Sequence, residues 1–124
     1  MKVLVIDDED DIRRIARLSL AAVGGMDVCE ARGGSAAVRK AREEQPDVVL
    51  LDMMMPGMDG LATFRALRED PETADIPVIF LTAKAMSAEV DRLKGLGACG
   101  VLVKPFDPMT LPRQLRDLLD AEQP

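Results

Sequence analysis

The chain has 124 residues, 48% hydrophobic and 31% charged, a balance that suits one folded domain and argues against a disordered chain. Its 16 Lys and Arg against 22 Asp and Glu give a net charge of −6, so the basic footprint of a nucleic-acid binder is missing. Histidine, tryptophan and tyrosine are absent, which excludes histidine-based catalysis and histidine metal ligands. Met1-Lys2 leads directly into Val3-Leu4-Val5-Ile6, too short for the core of a signal peptide. No apolar run approaches the roughly 18 residues needed to cross a bilayer, so the expectation is a cytoplasmic protein with no membrane partner.

In chain order, Lys2–Ile6 reads as a first strand, followed by a helix whose apolar side is Ile12, Ile15, Ala16, Ser19 and Val23, ended by Gly24-Gly25. Arg13, Arg14 and Arg17 read as its solvated face. A short strand near Met26–Ala31 precedes Gly33-Gly34-Ser35, with Ser35 the expected N-cap of an alanine-rich helix that Pro46 closes. Asp47–Leu51 is apolar after its first residue, as a central parallel strand covered on both faces should be. Met53–Gly60 carries the turn signals Pro56-Gly57 and Asp59-Gly60, and a helix with Leu61, Phe64 and Leu67 then runs to about Glu69. After Asp70-Pro71, Ile76–Leu81 forms a fourth strand. Ser87 is the expected cap of a helix with Met86, Val90 and Leu93 on one side. Gly100–Val103 is the fifth strand, and Leu111, Leu115, Leu118 and Leu119 mark a last amphipathic helix. No linker, repeat or low-complexity tract interrupts the pattern, so one domain over residues 1–124 is expected, with no attached output domain.

Regular alternation of strand and helix implies right-handed βαβ units and a doubly wound α/β fold: a five-stranded parallel sheet of order 2-1-3-4-5 with five helices. That order makes strands 1 and 3 neighbours at the point where the winding reverses, where open α/β sheets form their ligand crevice. Asp7 and Asp8 follow the first run, Asp52 the third, Thr82 the fourth and Lys104 the fifth, so all converge on one sheet edge. Carboxylates crowded together repel one another unless a hard cation such as Mg²⁺ sits among them. The set therefore reads as a metal-assisted phosphoryl site. Cys29 and Cys99 form no CxxC pair and fall on opposite edge strands, too far apart for a disulfide; both read as buried thiols.

The motifs Val3-Leu4-Val5-Ile6-Asp7-Asp8-Glu9, Leu51-Asp52-Met53-Met54-Met55-Pro56-Gly57-Met58-Asp59-Gly60, Leu81-Thr82-Ala83 and Lys104-Pro105-Phe106, in this order, resemble the receiver domain of two-component response regulators, a flavodoxin-like fold, over essentially the whole chain. The resemblance implies a stand-alone switch in which Asp52 accepts a phosphoryl group from a histidine kinase or histidine phosphotransfer protein and the phosphoprotein binds a downstream protein target. It implies direct Mg²⁺ ligation by Asp8, Asp52 and the Met54 backbone carbonyl, with Asp7 acting through water. Lys104 and Thr82 would contact the phosphoryl oxygens, and Pro105 would follow a cis peptide that aims Lys104 inward. Such a domain takes part in phosphotransfer and in its own dephosphorylation without being a conventional turnover enzyme.

Single residues have plainer readings. Asp7 and Asp8 could serve only the dipole of the helix that follows, and Lys104 could be a surface lysine, but the whole set at four strand ends favours a site. Met53, Met54, Met55 and Met58 lack Cys or His neighbours and read as adaptable packing rather than a soft-metal site. An aspartate-nucleophile phosphohydrolase would carry a second acid two residues after the nucleophile, where this chain has Met54. A pseudo-receiver that binds partners without phosphorylation is disfavoured by the complete acid set. One departure stands out: three residues before Lys104, where many receivers carry Tyr or Phe, this chain has Val101.

Overall fold

Among the described residues five strands and five α-helices alternate: β1 Lys2–Ile6, α1 Asp10–Leu18, β2 Asp27–Ala31, α2 Gly34–Glu44, β3 Val48–Asp52, α3 Gly60–Glu69, β4 Val78–Thr82, α4 Ser87–Gly95, β5 Gly100–Val103 and α5 Leu111–Ala121. The computed structural model describes residues 1–84 and 86–121. All strand pairs are parallel and the sheet order is β2-β1-β3-β4-β5, as the strand and helix alternation predicts.

The two faces of the sheet follow from the two-residue period of a strand. Leu4, Ile6, Val49, Leu51, Val78 and Phe80 point to one side, where they pack on Ala37 and Ala41 of α2, Phe64 and Leu67 of α3 and Leu93 of α4. Val3, Val5, Val48, Leu50, Ile79 and Leu81 point to the other, against Ala16 and Leu20 after β1 and Leu111 and Leu115 of α5. Every residue of β3 and β4 is buried, which is why these runs lack the polar alternation of a half-exposed strand. Phe64 and Phe80 meet with ring centroids 5.4 Å apart in a tilted arrangement, tying α3 to β4.

The register places the functional edge. Ile6 pairs with Leu51 and Asp52 with Leu81, so Asp7, one residue beyond β1, lies level with Asp52 at the end of β3. Thr82 pairs with Val103, which puts Lys104 one step past the end of β5.

Several local expectations are corrected. The inward stripe of α1 and the turn that follows it is Arg13, Ala16 and Leu20, while Ile15 and Val23 are 41% and 45% exposed. Spacing of three and four residues from Arg13 to Ala16 to Leu20 faces the sheet, and the segment Ser19–Val23 continues as a π-helical turn that changes the angular step and carries Val23 outward. Ser35 is not a cap: Gly33 holds that position and α2 starts at Gly34. A Cβ on Gly34 would stand 2.3 Å from Thr63 Oγ1, so close approach of α2 to α3 selects glycine there. Ser87 likewise is the first residue of α4, with Met86 at the N-cap and exposed instead of packed. Cys29 and Cys99 are half-buried, not fully buried, and no disulfide joins them.

Candidate functional site

The carboxyl ends of β1, β3, β4 and β5 bring Asp7, Asp52, Thr82 and Lys104 together. Asp7 and Asp52 are 1% and 3% exposed, unusual burial for two carboxylates side by side. The Lys104 Nζ reconciles them: it lies 3.1 Å from Asp7 Oδ2 and 3.1 Å from Asp52 Oδ1. The Lys104-Pro105 peptide is cis, as the resemblance implies.

Each acid is also held by its own backbone. Asp7 Oδ1 accepts from the Glu9 N–H at 2.9 Å, and Asp52 Oδ1 accepts from the Met54 N–H at 3.2 Å. The loop from β3 to α3 turns at Gly57, whose φ of +74° suits glycine, and returns so that the Gly60 N–H donates to the Met53 carbonyl at 3.0 Å. Asp59 caps α3 through the Ala62 N–H at 2.8 Å. A Cβ on Gly60 would lie 2.4 Å from the Asp52 carbonyl oxygen, so glycine lets α3 begin directly behind Asp52.

Burial, and then the Asp7 charge, push the Asp52 carboxyl up to about 6, against the opposing pull of the Lys104 ammonium and the Met54 N–H. Burial pulls the Lys104 ammonium down, but Asp52 and Asp7 together outweigh it and hold its pKa above the ordinary lysine value. At neutral pH the site thus holds a mostly ionised Asp52 beside a firmly charged lysine.

One cation does not satisfy this pair of acids. Among the described residues, Asp52 Oδ2 is buried with no hydrogen-bond partner, and Asp7 Oδ2 has its ion pair to Lys104 but no hydrogen bond. Asp8 is exposed next to them, and the three carboxylates offer oxygens that all lie within 4.8 Å of one another. An oxygen-only donor set with an orphaned carboxylate oxygen and one solvent-facing side fits a hard divalent ion that keeps part of its water shell. Met54 stands two residues beyond Asp52 with its side chain 75% exposed, whereas Met55 is buried. The packing role read for the loop methionines therefore belongs to Met55 and the half-buried Met53 and Met58, the last lying against Gly34 of α2, and not to Met54.

Thr82 is buried at the end of β4, and its hydroxyl oxygen lies 3.3 Å from both the Lys84 N–H nitrogen and the Lys84 carbonyl oxygen. Both contacts are long, so its own loop holds the hydroxyl loosely. Ala85, in the same loop, lies outside the described residues. Val101 is half-buried and packs on the core that includes Phe80, leaving no large ring on this face of β5.

Sequence reasoning misplaced one residue beside the site. Arg13, read as solvated, is 7% exposed, and its Nη1 donates to the Asp7 carbonyl oxygen at 2.8 Å. Its Nε donates to Glu30 Oε1 at 3.1 Å and its Nη2 to Asp10 Oδ1. The available signal was helical phase: Arg13 stands three residues before buried Ala16, with Asp10 a turn earlier to pair with it.

Known proteins share both fold and sequence. The sequence model of the response regulator receiver domain matches residues 3–116. The probable transcriptional regulator ycf27 of Porphyridium aerugineum is 42% identical over 120 residues, 95% of this chain and 48% of that protein. The response regulator PleD of Caulobacter vibrioides is 40% identical over 119 residues, 94% of this chain and 26% of that protein. The chain thus spans about half the length of one relative and a quarter of the other. The chemotaxis protein CheY4 of Vibrio cholerae superposes with a TM-score of 0.86 at 34% identity, covering 94% of this chain and 97% of that one. No helix among the described residues is long and apolar enough to cross a membrane. The chain belongs to the response regulator receiver domain family, the phosphorylation-dependent switch module of two-component regulatory systems.

Proposed function

We propose that Asp52 is the phosphoacceptor of this switch, taking a phosphoryl group from a histidine kinase or histidine phosphotransfer protein, and that the phosphorylated domain signals by binding a downstream protein. One observation carries the reading: an Asp52 carboxylate whose Oδ2 is buried and unbonded while Lys104 Nζ sits 3.1 Å from its Oδ1. A carboxylate with a pKa of about 6 is mostly ionised at neutral pH and can attack phosphorus without a general base. An Asp52 oxygen forms the new P–O bond as the donor's P–N bond breaks, and the electron pair of that bond stays on the departing imidazole nitrogen.

The Lys104 ammonium stabilises negative charge on the phosphoryl oxygens, and the Thr82 hydroxyl, released from Lys84, donates a hydrogen bond to one of them. Asp8, Asp52 and the Met54 backbone carbonyl would hold Mg²⁺, with Asp7 reaching it through water, and the bound ion would supply further positive charge opposite the same oxygens. Movement of Thr82 carries the signal into residues 83–84 and α4. With Val101 on β5, no ring reports the change, so discrimination between the two states by a partner is modest. Residues 1–124 act as one domain, in the cytoplasm, without direct contact to nucleic acid or membrane.

Incubation with acetyl phosphate and Mg²⁺, followed by intact-mass measurement, tests the reading. It expects one phosphoryl group per chain for the wild type and none for Asp52→Asn at unchanged circular dichroism. Equal labelling of both proteins would overturn it.

A further inference from the structure

Asp7 is fixed at every polar atom except one question of direction. Its N–H donates to the Ala31 carbonyl at 3.2 Å, its Oδ1 accepts from Glu9, and its Oδ2 faces Lys104. Its carbonyl is half of the peptide that continues to Asp8, and Asp8 makes no hydrogen bond or ion pair of its own among the described residues. The direction of the Asp8 side chain therefore depends on how the Asp7–Asp8 peptide plane is held. Arg13 Nη1, buried and 2.8 Å from that carbonyl, is what holds it.

We infer that Arg13 is a positioning residue for the metal site: it locks the Asp7–Asp8 peptide and thereby aims the Asp8 carboxylate at the point where Mg²⁺ would be held. The inference rests on the proposed metal role of Asp7, Asp8 and Asp52. The planar guanidinium suits the task because its three nitrogens point their N–H groups in fixed directions. Two of them are anchored on α1 and β2, through Asp10 and Glu30, and Glu30 is steadied in turn by Arg17 Nη1 at 2.8 Å. The third is left aimed at the Asp7 carbonyl. Asp10 and Glu30 also offset the Arg13 charge locally, so the group acts on the acid cluster through geometry more than through repulsion of a cation. This is the logic by which partners behind a metal's direct ligands tune affinity.

The test compares wild type, Arg13→Met and Glu30→Gln. Glu30→Gln weakens the outer ion pair but keeps the guanidinium on the Asp7 carbonyl, so it reports a merely structural contribution of the cluster. Two readouts are taken: Mg²⁺ affinity by titration calorimetry with MgCl₂ alone, and amide hydrogen exchange of Glu9, whose N–H is held on Asp7 Oδ1, in metal-free protein. Arg13→Met should weaken Mg²⁺ binding by about tenfold or more and speed exchange at Glu9, while Glu30→Gln leaves both within about twofold of wild type. Arg13→Lys, which keeps charge and one donor without the fork, should fall between them and serves if the Met variant does not fold. Wild-type affinity and unchanged Glu9 exchange in the Arg13 variants would overturn the inference. Absence of Mg²⁺ binding by the wild type would instead overturn the metal role itself, and the metal-free exchange would still decide whether Arg13 locks the peptide.

Discussion

Replacing Asp52 by Asn should stabilise the metal-free protein, and the gain should depend on pH in a defined way. The folded protein holds this carboxyl at about 6 against an ordinary value of 3.8, because burial and the Asp7 charge penalise the ionised form. A shift of roughly two units at 1.36 kcal/mol each corresponds to about 3 kcal/mol of folding free energy withheld at neutral pH. For a raised acid the folded chain binds more protons than the unfolded one between these two values, so stability falls as pH rises through that window. The penalty is absent below 3.8 and complete above about 6. Asn is close in shape and cannot ionise. The difference in unfolding free energy, Asn variant minus wild type, should therefore be near zero at about pH 4 and grow to about 2–3 kcal/mol at about pH 7.5. Urea unfolding in a chelator, followed by circular dichroism across that range, measures it. Taking the difference cancels carboxylates that respond oppositely, such as Asp70, which Arg42 holds below the usual range. A difference independent of pH, or a wild type more stable than the variant at neutral pH, would refute the electrostatic account of the site.

Lys104→Met should destabilise the protein by about 3 kcal/mol at neutral pH, because two buried carboxylates lose their shared cation, and by less at pH 5, where Asp52 takes up a proton; a pH-independent loss in chemical unfolding would contradict this. Gly60→Ala drives a Cβ into the Asp52 carbonyl and the Met53 Cα, at 2.4 and 2.6 Å, and should cost about 1–3 kcal/mol while slowing phosphorylation by acetyl phosphate; full activity would show that the loop behind Asp52 yields freely. Beryllofluoride with Mg²⁺ should alter amide exchange in residues 86–95 as well as 53–60, since Thr82 must leave Lys84 to reach the phosphoryl mimic. Changes confined to 53–60 would show that the signal does not travel through β4 and α4.

Asp7, Asp52, Thr82 and Lys104 were legible because each ends an apolar run, and a parallel sheet turns that one-dimensional fact into proximity. The sheet order was legible from the alternation of strand and helix, with the uniformly apolar run of β3 marking the central strand. Arg13 was not, because an arginine on a helix reads as solvated until Glu30, on a different strand, is known to lie beside it. The start of α2 at Gly34 was not legible because the close approach to Thr63 of α3 is a tertiary contact that local capping signals do not carry, and nothing in the structure explains why α4 takes in Ser87. The sharing of Lys104 between two acids, and the bare Asp52 Oδ2, are distances that residue spacing cannot convey.

The central claim is that Asp52 itself carries the phosphoryl group. Borohydride reduction of the protein after reaction with acetyl phosphate and Mg²⁺, followed by peptide sequencing in a mass spectrometer, addresses it directly, since reduction converts an aspartyl phosphate to homoserine where it stands. The account predicts homoserine at position 52 and at no other acid. Homoserine at Asp7, Asp8 or elsewhere, with Asp52 intact, would contradict it.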